Sequence, residues 1–351
     1  MNYNVNLYHL SHTDLDGYAC QFVSNFYFKN CYFYNSNYGK EINDNFSMIL
    51  DRIDESLKLD SEVCSIVLIS DLNLSLSQCE SFEEALSKRS NAKIFLLDHH
   101  QSGQACAEKY AWYFLDSSRC ATKIVYDFFS KMFFQNENLA KFVDVVNAID
   151  IWLKDDTNFE LGKVLLSMVS NAKELNRVLF PQKNTEYMFF LLSKAQTFVG
   201  KDKAHILFED SLHFLKKEFF KDEENNTLGN LLSIYVVKIL NENKEYFTLK
   251  YKEYKFLLTY NIGNVSVIGN DFLTLNKDYD FFLDVNSKKT LSFRSNNKVD
   301  VSLIAQTLVG GGGHKNASGG FFAAFKDSSD YSFIKNQILD LIKSKEEKSG
   351  E

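Results

Sequence analysis

Apolar and polar positions fall into two alternating patterns over the first 150 residues. Asn4–Leu10 is a short strand candidate, Val63–Ser70 (VCSIVLIS) is a continuous apolar run rich in β-branched residues, and Lys93–Leu97 (KIFLL) reads as another buried strand. Between them, Gly17–Phe28 and Ser77–Arg89 carry the spacing of amphipathic helices. Strands apolar on both faces and separated by helices predict a parallel sheet covered on both sides. Two more helices are predicted over Cys120–Phe134 and Asn138–Leu153. In such sheets ligands gather beyond the carboxyl ends of the strands. The polar residues that close each apolar run, at Ser11-His12, Asp71 and Asp98, therefore mark where a site is expected.

The pattern changes further along. The single proline, Pro181, lies in the polar stretch Phe180–Thr185 and is read as the end of a first domain. Glu186–Phe220 is helical with mixed charge, and Lys221–Asn226 (KDEENN) is a polar break. From about Leu228 strand-like runs follow at Phe256–Tyr260, Asn264–Ile268, Phe281–Val285 and Thr290–Arg294. A helix at Val301–Leu308, a glycine cluster and a last helix near Tyr331–Ser344 complete a smaller α/β domain, followed by a charged tail. The expected organisation is a parallel-sheet domain over 1–185, a linker helix and hinge over 186–226, and the smaller domain over 227–345, with the active site in the cleft between the two.

Composition narrows the function. The chain has 351 residues, about two domains' worth, with 45% hydrophobic and 24% charged residues, which excludes a disordered or collagen-like chain. Basic side chains number 39 against 46 acidic, a formal net charge of −7. That balance argues against a binder of long duplex nucleic acid, which needs a basic surface, and leaves room for a small anionic substrate held by local groups. The six cysteines lie at 20, 31, 64, 79, 106 and 120 without a C-x-x-C pair, so they are read as reduced thiols of a cytoplasmic protein rather than a zinc ribbon or disulfide framework. No basic-then-apolar leader and no run of about 18 apolar residues occurs, so neither a signal peptide nor a membrane span is expected.

Four clusters carry the candidate chemistry: Ser11-His12-Thr13-Asp14-Leu15-Asp16-Gly17, Ile69-Ser70-Asp71, Leu97-Asp98-His99-His100, and Asn147-Ala148-Ile149-Asp150-Ile151-Trp152. Gathered in one crevice, Asp14, Asp16, Asp71 and Asp150 repel one another by several kcal/mol per pair at about 4 Å. Such a cluster needs cations, or raised pKa values. Carboxylates mixed with imidazoles suit Mn²⁺, Mg²⁺ or Fe²⁺ better than a thiolate-seeking ion, and the ligand count suits two of them. Two ions a few Å apart are a common device for attack on a phosphoryl centre. A polar helix face with Asp144 and Asn147 is the rival reading of Asp150, and a helix cap that of Asp71.

The second half adds Val309-Gly310-Gly311-Gly312-Gly313-His314, followed by Ala317-Ser318-Gly319-Gly320. Consecutive glycines let backbone N–H groups converge on an anion. Gly311, Gly312, Gly313 and His314, with Arg294 and Ser295 at the end of a strand, are the candidate substrate-binding residues; Arg grips phosphate bidentately. His9, His205 and His213 are read as packing or solvent-facing.

The order H-x-D-x-D-G, S-D, D-H-H, helical Asp, G-G-G-G-H-x-x-A-S-G resembles the DHH phosphoesterase superfamily with its DHH-associated C-terminal domain, over nearly the whole chain. Within it the chain most resembles the nanoRNase-like phosphodiesterases; cyclic-dinucleotide phosphodiesterases and 3′,5′-bisphosphate (pAp) phosphatases are also similar. The resemblance implies two Mn²⁺, with Mg²⁺ or another divalent ion as substitutes. One ion would be held by His12, Asp14 and Asp71. The other would be held by Asp16, bridging Asp71, His99 and Asp150. Asp98 would orient a neighbouring histidine, and His100 would face the scissile phosphate. Only Thr13 separates His12 from Asp14, where many members have three residues. The implied activity is two-metal water attack on short RNA such as pGpG, yielding nucleoside monophosphates, with cyclic dinucleotides or pAp as alternative substrates and a homodimer as a possible assembly.

Overall fold

The computed structural model describes residues 5–223 and 225–347. Asn4, Glu224 in the polar break and the last four residues of the charged tail lie outside the described residues. The chain folds as two compact units. The first runs through Ala172 and takes in Thr185–Leu215; the second comprises Lys173–Asn184 and the chain from Lys216.

The first unit is built on five strands: β1 (Val5–Ser11), β2 (Cys31–Asn35), β3 (Cys64–Ser70), β4 (Ala92–Asp98) and β5 (Tyr113–Leu115). Their order is β2-β1-β3-β4-β5, and every neighbouring pair is parallel. This is the sheet that the uninterrupted apolar runs predict. Its helices are α1 (Leu15–Tyr27), α2 (Lys40–Leu59), α3 (Leu76–Ser87), α4 (Gln104–Lys109), α5 (Ala121–Met132), α6 (Glu137–Asp150) and α7 (Phe159–Asn171), with most of α8 (Pro181–Gln196) and of α9 (Ala204–Phe219). One face of the sheet, with Tyr8, Leu10, Val67, Ile69, Ile94 and Leu96, buries against Ile42, Phe46, Ile49 and Ile53 of α2 and Cys79, Phe82 and Leu86 of α3.

From β1 the chain builds β2 on one side and then returns to β3 on the other. The strand order reverses there, which opens a crevice beyond the carboxyl ends of β1 and β3. The register levels these ends: Ser11 pairs with Ser70, and Ser70 with Leu97. His12, Asp71 and Asp98 therefore leave three adjacent strands at one height.

The second unit contains α10 (Leu228–Glu242), α11 (Lys244–Phe247), β6 (Thr248–Tyr251), β7 (Tyr254–Tyr260), α12 (Val265–Leu275), β8 (Phe281–Val285), β9 (Thr290–Ser295), α13 (Val301–Val309), β10 (Gly312–His314), β11 (Ala317–Phe321) and α14 (Tyr331–Glu347). Its sheet runs β10-β11-β9-β8-β7-β6, and β7–β8 is its parallel pair.

Several elements differ from the sequence reading. Asn264–Ile268 opens helix α12 instead of forming a strand. The parallel β7–β8 pair needs a crossover, and the segment buries Ile268, Phe272 and Leu273 along one helical face. Helix α10 fills the stretch from Leu228, where the sequence pattern named no element before Phe256. The span 186–226 holds two helices, α8 and α9, with Gly200 in the left-handed region between them (φ 81°), rather than one linker helix. Pro181 starts α8, where the first turn leaves an N–H free and a fixed φ suits the helix. Strand β2 and helix α2 fill a region to which the sequence pattern assigned nothing.

Candidate metal centre

Each motif reaches the crevice for a local reason. Asp14 caps α1, its Oδ1 accepting from the Gly17 N–H at 3.0 Å. Gly17 allows the first turn of α1 to press on the chain leaving β1; a Cβ there would collide with the His12 carbonyl. His12 Nδ1 lies 2.8 Å from Asp14 Oδ2 and 3.9 Å from Asp71 Oδ2. Asp71 follows β3 in a left-handed conformation (φ 54°), unusual for a residue with a side chain. That strain turns its carboxyl into the crevice, where the residue is 2% exposed.

His99 stands among three carboxylates. Its Nε2 is 3.4 Å from Asp71 Oδ1 and 3.9 Å from Asp16 Oδ2, and its Nδ1 is 3.6 Å from Asp150 Oδ2. Asp16 is itself anchored: Oδ2 accepts from Ala121 N–H at 2.8 Å and Oδ1 from Thr122 N–H at 2.9 Å. These are the first donors of α5, a position that favours a negative charge. Asp150 ends α6. The polar stripe on that helix divides: Asp144 pairs with Lys123, and buried Asn147 accepts from Cys120 N–H at 3.0 Å, so both tie α6 to α5. Asp150 alone joins the cluster.

His100 plays another part. Its Nδ1 is 2.7 Å from Asp98 Oδ1, and Asp98 Oδ2 accepts from the Tyr113 hydroxyl at 3.1 Å. Asp98 is fully buried. Its hydrogen bond raises the His100 pKa, against the opposing effect of burial. The histidine that Asp98 orients is therefore His100.

Electrostatics mark the cluster. Burial first, then the charges of Asp16, Asp14 and Asp150, push the Asp71 carboxyl well above the usual carboxylate range. Burial likewise raises Asp16, opposed by His99 and Thr122. Burial also acts to raise Asp14, but His12 and the Gly17 N–H outweigh it and hold that carboxyl below its ordinary value. Asp71 Oδ2 is buried and no hydrogen bond reaches it. A desolvated carboxylate oxygen without a donor, facing other carboxylates, fits a cation. Ligand-capable atoms of His12, Asp14 and Asp71 lie within 4.8 Å of one another, as do those of Asp71, Asp98, His99 and His100. Asp71 belongs to both groups, whereas Asp16 and Asp150 fall in a third group, with Cys120, and not in one with Asp71 and His99.

Three neighbours escaped the sequence analysis. Cys120, the N-cap of α5, brings a buried thiol within the same distance of Asp16 and Asp150. A lone cysteine gives no sequence signal for this. Tyr113 backs Asp98 from the short edge strand β5. Tyr38, between β2 and α2, places its hydroxyl 3.3 Å from His100 Nε2. His9 packs in the core as expected, its Nε2 2.7 Å from Ser70 Oγ and its Nδ1 2.9 Å from Ser24 Oγ.

The remaining candidates belong to the second unit. Arg294 on β9 donates to the Ser266 hydroxyl through Nη2 at 3.0 Å and to the Phe293 carbonyl through Nη1 at 2.8 Å. The Ser295 hydroxyl is used internally, donating to the Asp280 carbonyl at 3.1 Å and accepting from Val299 N–H at 3.3 Å. The glycine cluster is not a free loop. Gly310 caps α13 in the left-handed region (φ 65°), and Gly312 and Gly313 pair with Gly319 and Ser318 in a β10–β11 hairpin. A Cβ at Gly311 or Gly313 would strike β11, whereas at Gly312 it would meet nothing. His314 is exposed.

No helix among the described residues is long and apolar enough to cross a membrane. No family model matches the chain. A curated protein of Helicobacter pylori (strain ATCC 700392 / 26695), named 3′,5′-cyclic-nucleotide phosphodiesterase, is 40% identical over 346 residues, covering 96% of this chain and 98% of that protein. The crystal structure of an uncharacterised protein from Helicobacter pylori G27 superposes with a TM-score of 0.90 at 39% identity, covering 97% of this chain and 99% of that one. With identity of that order over almost the full length of both proteins, the chain belongs to the family of that phosphodiesterase and is an enzyme, a hydrolase of phosphodiester bonds.

Proposed function

We propose that the chain hydrolyses the phosphodiester of a 3′,5′-cyclic nucleotide with two divalent cations, Mn²⁺ or Mg²⁺, held by His12, Asp14, Asp16, Asp71, His99 and Asp150. The observation that carries the metal assignment is the orphaned, buried Asp71 Oδ2 within a ring of carboxylates and imidazoles. The relative's name supplies the substrate class. The motif order supports a place in the DHH superfamily. Bound in this cluster, the cations supply an activated water and neutralise charge gathering on the phosphoryl oxygens.

The chain's own groups do the rest. Tyr113 and Asp98 fix the His100 ring and favour its protonated form, so that Nε2 donates to the phosphoryl or leaving oxygen. The amides of Ala121 and Thr122 hold Asp16 in place, so substrate binding does not have to order it. In the second unit, Arg294, His314 and the open backbone at Gly312 are the groups suited to an anionic nucleotide. Ser295, with its hydroxyl committed to backbone, supports that strand.

The test is a product time course with Mn²⁺ on cyclic AMP, cyclic GMP, pGpG, a cyclic dinucleotide and pAp, side by side. Ring opening of a cyclic mononucleotide at the highest kcat/KM supports the proposal. A tenfold preference for pGpG replaces it with the short-RNA reading that the motifs alone suggest. Mn²⁺ binding without turnover of any of the five refutes both.

A further inference from the structure

Tyr38 has no evident structural reason to be where it is. The residue is 45% exposed, so its ring is not there to fill the core. Yet its loop is tied to the first metal motif at three points. Ser36 N–H donates to the Ser11 carbonyl at 2.9 Å, the Asn35 amide to the His12 carbonyl at 2.9 Å, and the Thr13 hydroxyl to Asn37 Oδ1 at 3.0 Å. The Asn37 backbone and side-chain amides both donate to Glu41 Oε2 at the start of α2, and Gly39 (φ 91°) makes the turn between them. The loop thus carries Tyr38 over the mouth of the cluster. Its ring centroid lies 5.3 Å from that of His12 and 6.1 Å, edge-on, from that of His100.

The neutral donors on the cluster's carboxylates are already committed: Gly17 N–H to Asp14, Ala121 and Thr122 N–H to Asp16, and the Tyr113 hydroxyl to Asp98. Among the described residues, the ion-pair partners of Asp14, Asp16, Asp71, Asp98 and Asp150 are all histidines. A phosphodiester entering here brings non-bridging oxygens that need hydrogen bonds from groups that do not themselves repel it. Asp98 fixes His100 through Nδ1, which leaves Nε2 and the phenol oxygen as an adjacent pair on the exposed side. A phenol has one O–H to donate, which an incoming anion can take beside the Nε2–H of His100.

We propose that Tyr38 is a catalytic residue whose hydroxyl, beside His100 Nε2, donates to a non-bridging oxygen of the bound phosphodiester. The inference rests on the phosphodiesterase reading of the cluster but not on which nucleotide it takes. Preorganised donors of this kind act where charge develops in the transition state, and removing one typically lowers kcat substantially.

Tyr38→Phe and Tyr38→Ala are compared with wild type on cyclic AMP and on bis(p-nitrophenyl) phosphate. Mn²⁺ is titrated for each protein and melting curves are recorded. Tyr38→Phe keeps the ring and loses the donor. It is expected to lower kcat about tenfold or more on both diesters, with the half-saturating Mn²⁺ concentration and the melting temperature unchanged. Tyr38→Ala is expected to lose at least as much. Wild-type kcat and KM in Tyr38→Phe overturn the proposal, as does a loss that excess Mn²⁺ restores, since that marks a residue acting through the metal ligands. Wild-type turnover of the synthetic diester without cyclic AMP hydrolysis refutes the substrate assignment above, while the Tyr38 comparison on that diester still decides this one. A wild type inert towards both diesters brings down the centre and Tyr38's place in it together.

Discussion

Asp150→Asn is expected to make the metal-free protein more stable and the metal-bound protein less so. Burial first, then the charges of Asp16 and Asp14, push the Asp150 carboxyl from 3.8 up to about 8. A carboxyl raised in the folded state favours folding while it is protonated. That contribution is complete below pH 3.8 and is lost as the pH rises through about 8. At about 1.4 kcal/mol per pH unit, the gap sets a ceiling of about 6 kcal/mol at pH 8. The side chain is 23% exposed, and solvent screening brings the usable figure to about 3 kcal/mol. For a unit of this size that corresponds to a melting shift of about 6–12 °C. The assay is a melting series in chelator at pH 5, 6.5 and 8, repeated with saturating Mn²⁺. Without metal, wild type should fall steadily towards pH 8 while Asp150→Asn stays flatter and melts higher. With cation at a hundred times its dissociation constant, wild type should regain about 2.7 kcal/mol, and the variant should gain much less. Parallel pH profiles, or a metal-free variant that melts below wild type at pH 8, would refute the reasoning.

Two further outcomes follow from other positions. Asp284, buried in the second unit, accepts from the Thr259 hydroxyl at 2.8 Å and Ile262 N–H at 3.1 Å, and burial raises it to about 7. Its protonated form favours folding, and that stability is lost between about pH 4 and 7, so Asp284→Asn should exceed wild type by up to about 4 kcal/mol at pH 8 and by little at pH 4, read by circular dichroism melting. Gly17→Ala would drive a methyl into the His12 carbonyl; hydrolysis should fall at least tenfold and the Mn²⁺ requirement should rise, and rates within twofold of wild type would show that the turn yields without moving His12.

Much of the first unit was legible because local and long-range demands agree there. Val63–Ser70 reads plainly because β3 is buried on both faces from Val67 to Ser70, whereas β4 leaves Lys93 and Phe95 exposed and is buried throughout only from Leu96. The acidic and histidine motifs at their ends stand out for the same reason: polar residues abruptly close an apolar run. Asn264–Ile268 failed the same test. Its Val-Ser-Val-Ile alternation suits a strand, but the pairing of β7 with β8 required a helix at that point. Tyr38 and Cys120 carried no pattern at all, since each enters the site through a neighbour distant in sequence.

What the chain's residues determined alone was the chemical inventory: carboxylates and imidazoles after parallel strands, an acidic balance, and glycines where backbone must come close. What only tertiary structure decided was geometry. The β1/β3 reversal and the level register of Ser11, Ser70 and Leu97 set His12, Asp71 and Asp98 side by side. The start of α5 singled out Asp16 as an anchored carboxylate, and burial left Asp71 Oδ2 without a donor. Desolvation and proximity are properties of the folded arrangement, and they turn four ordinary aspartates into groups that call for a cation.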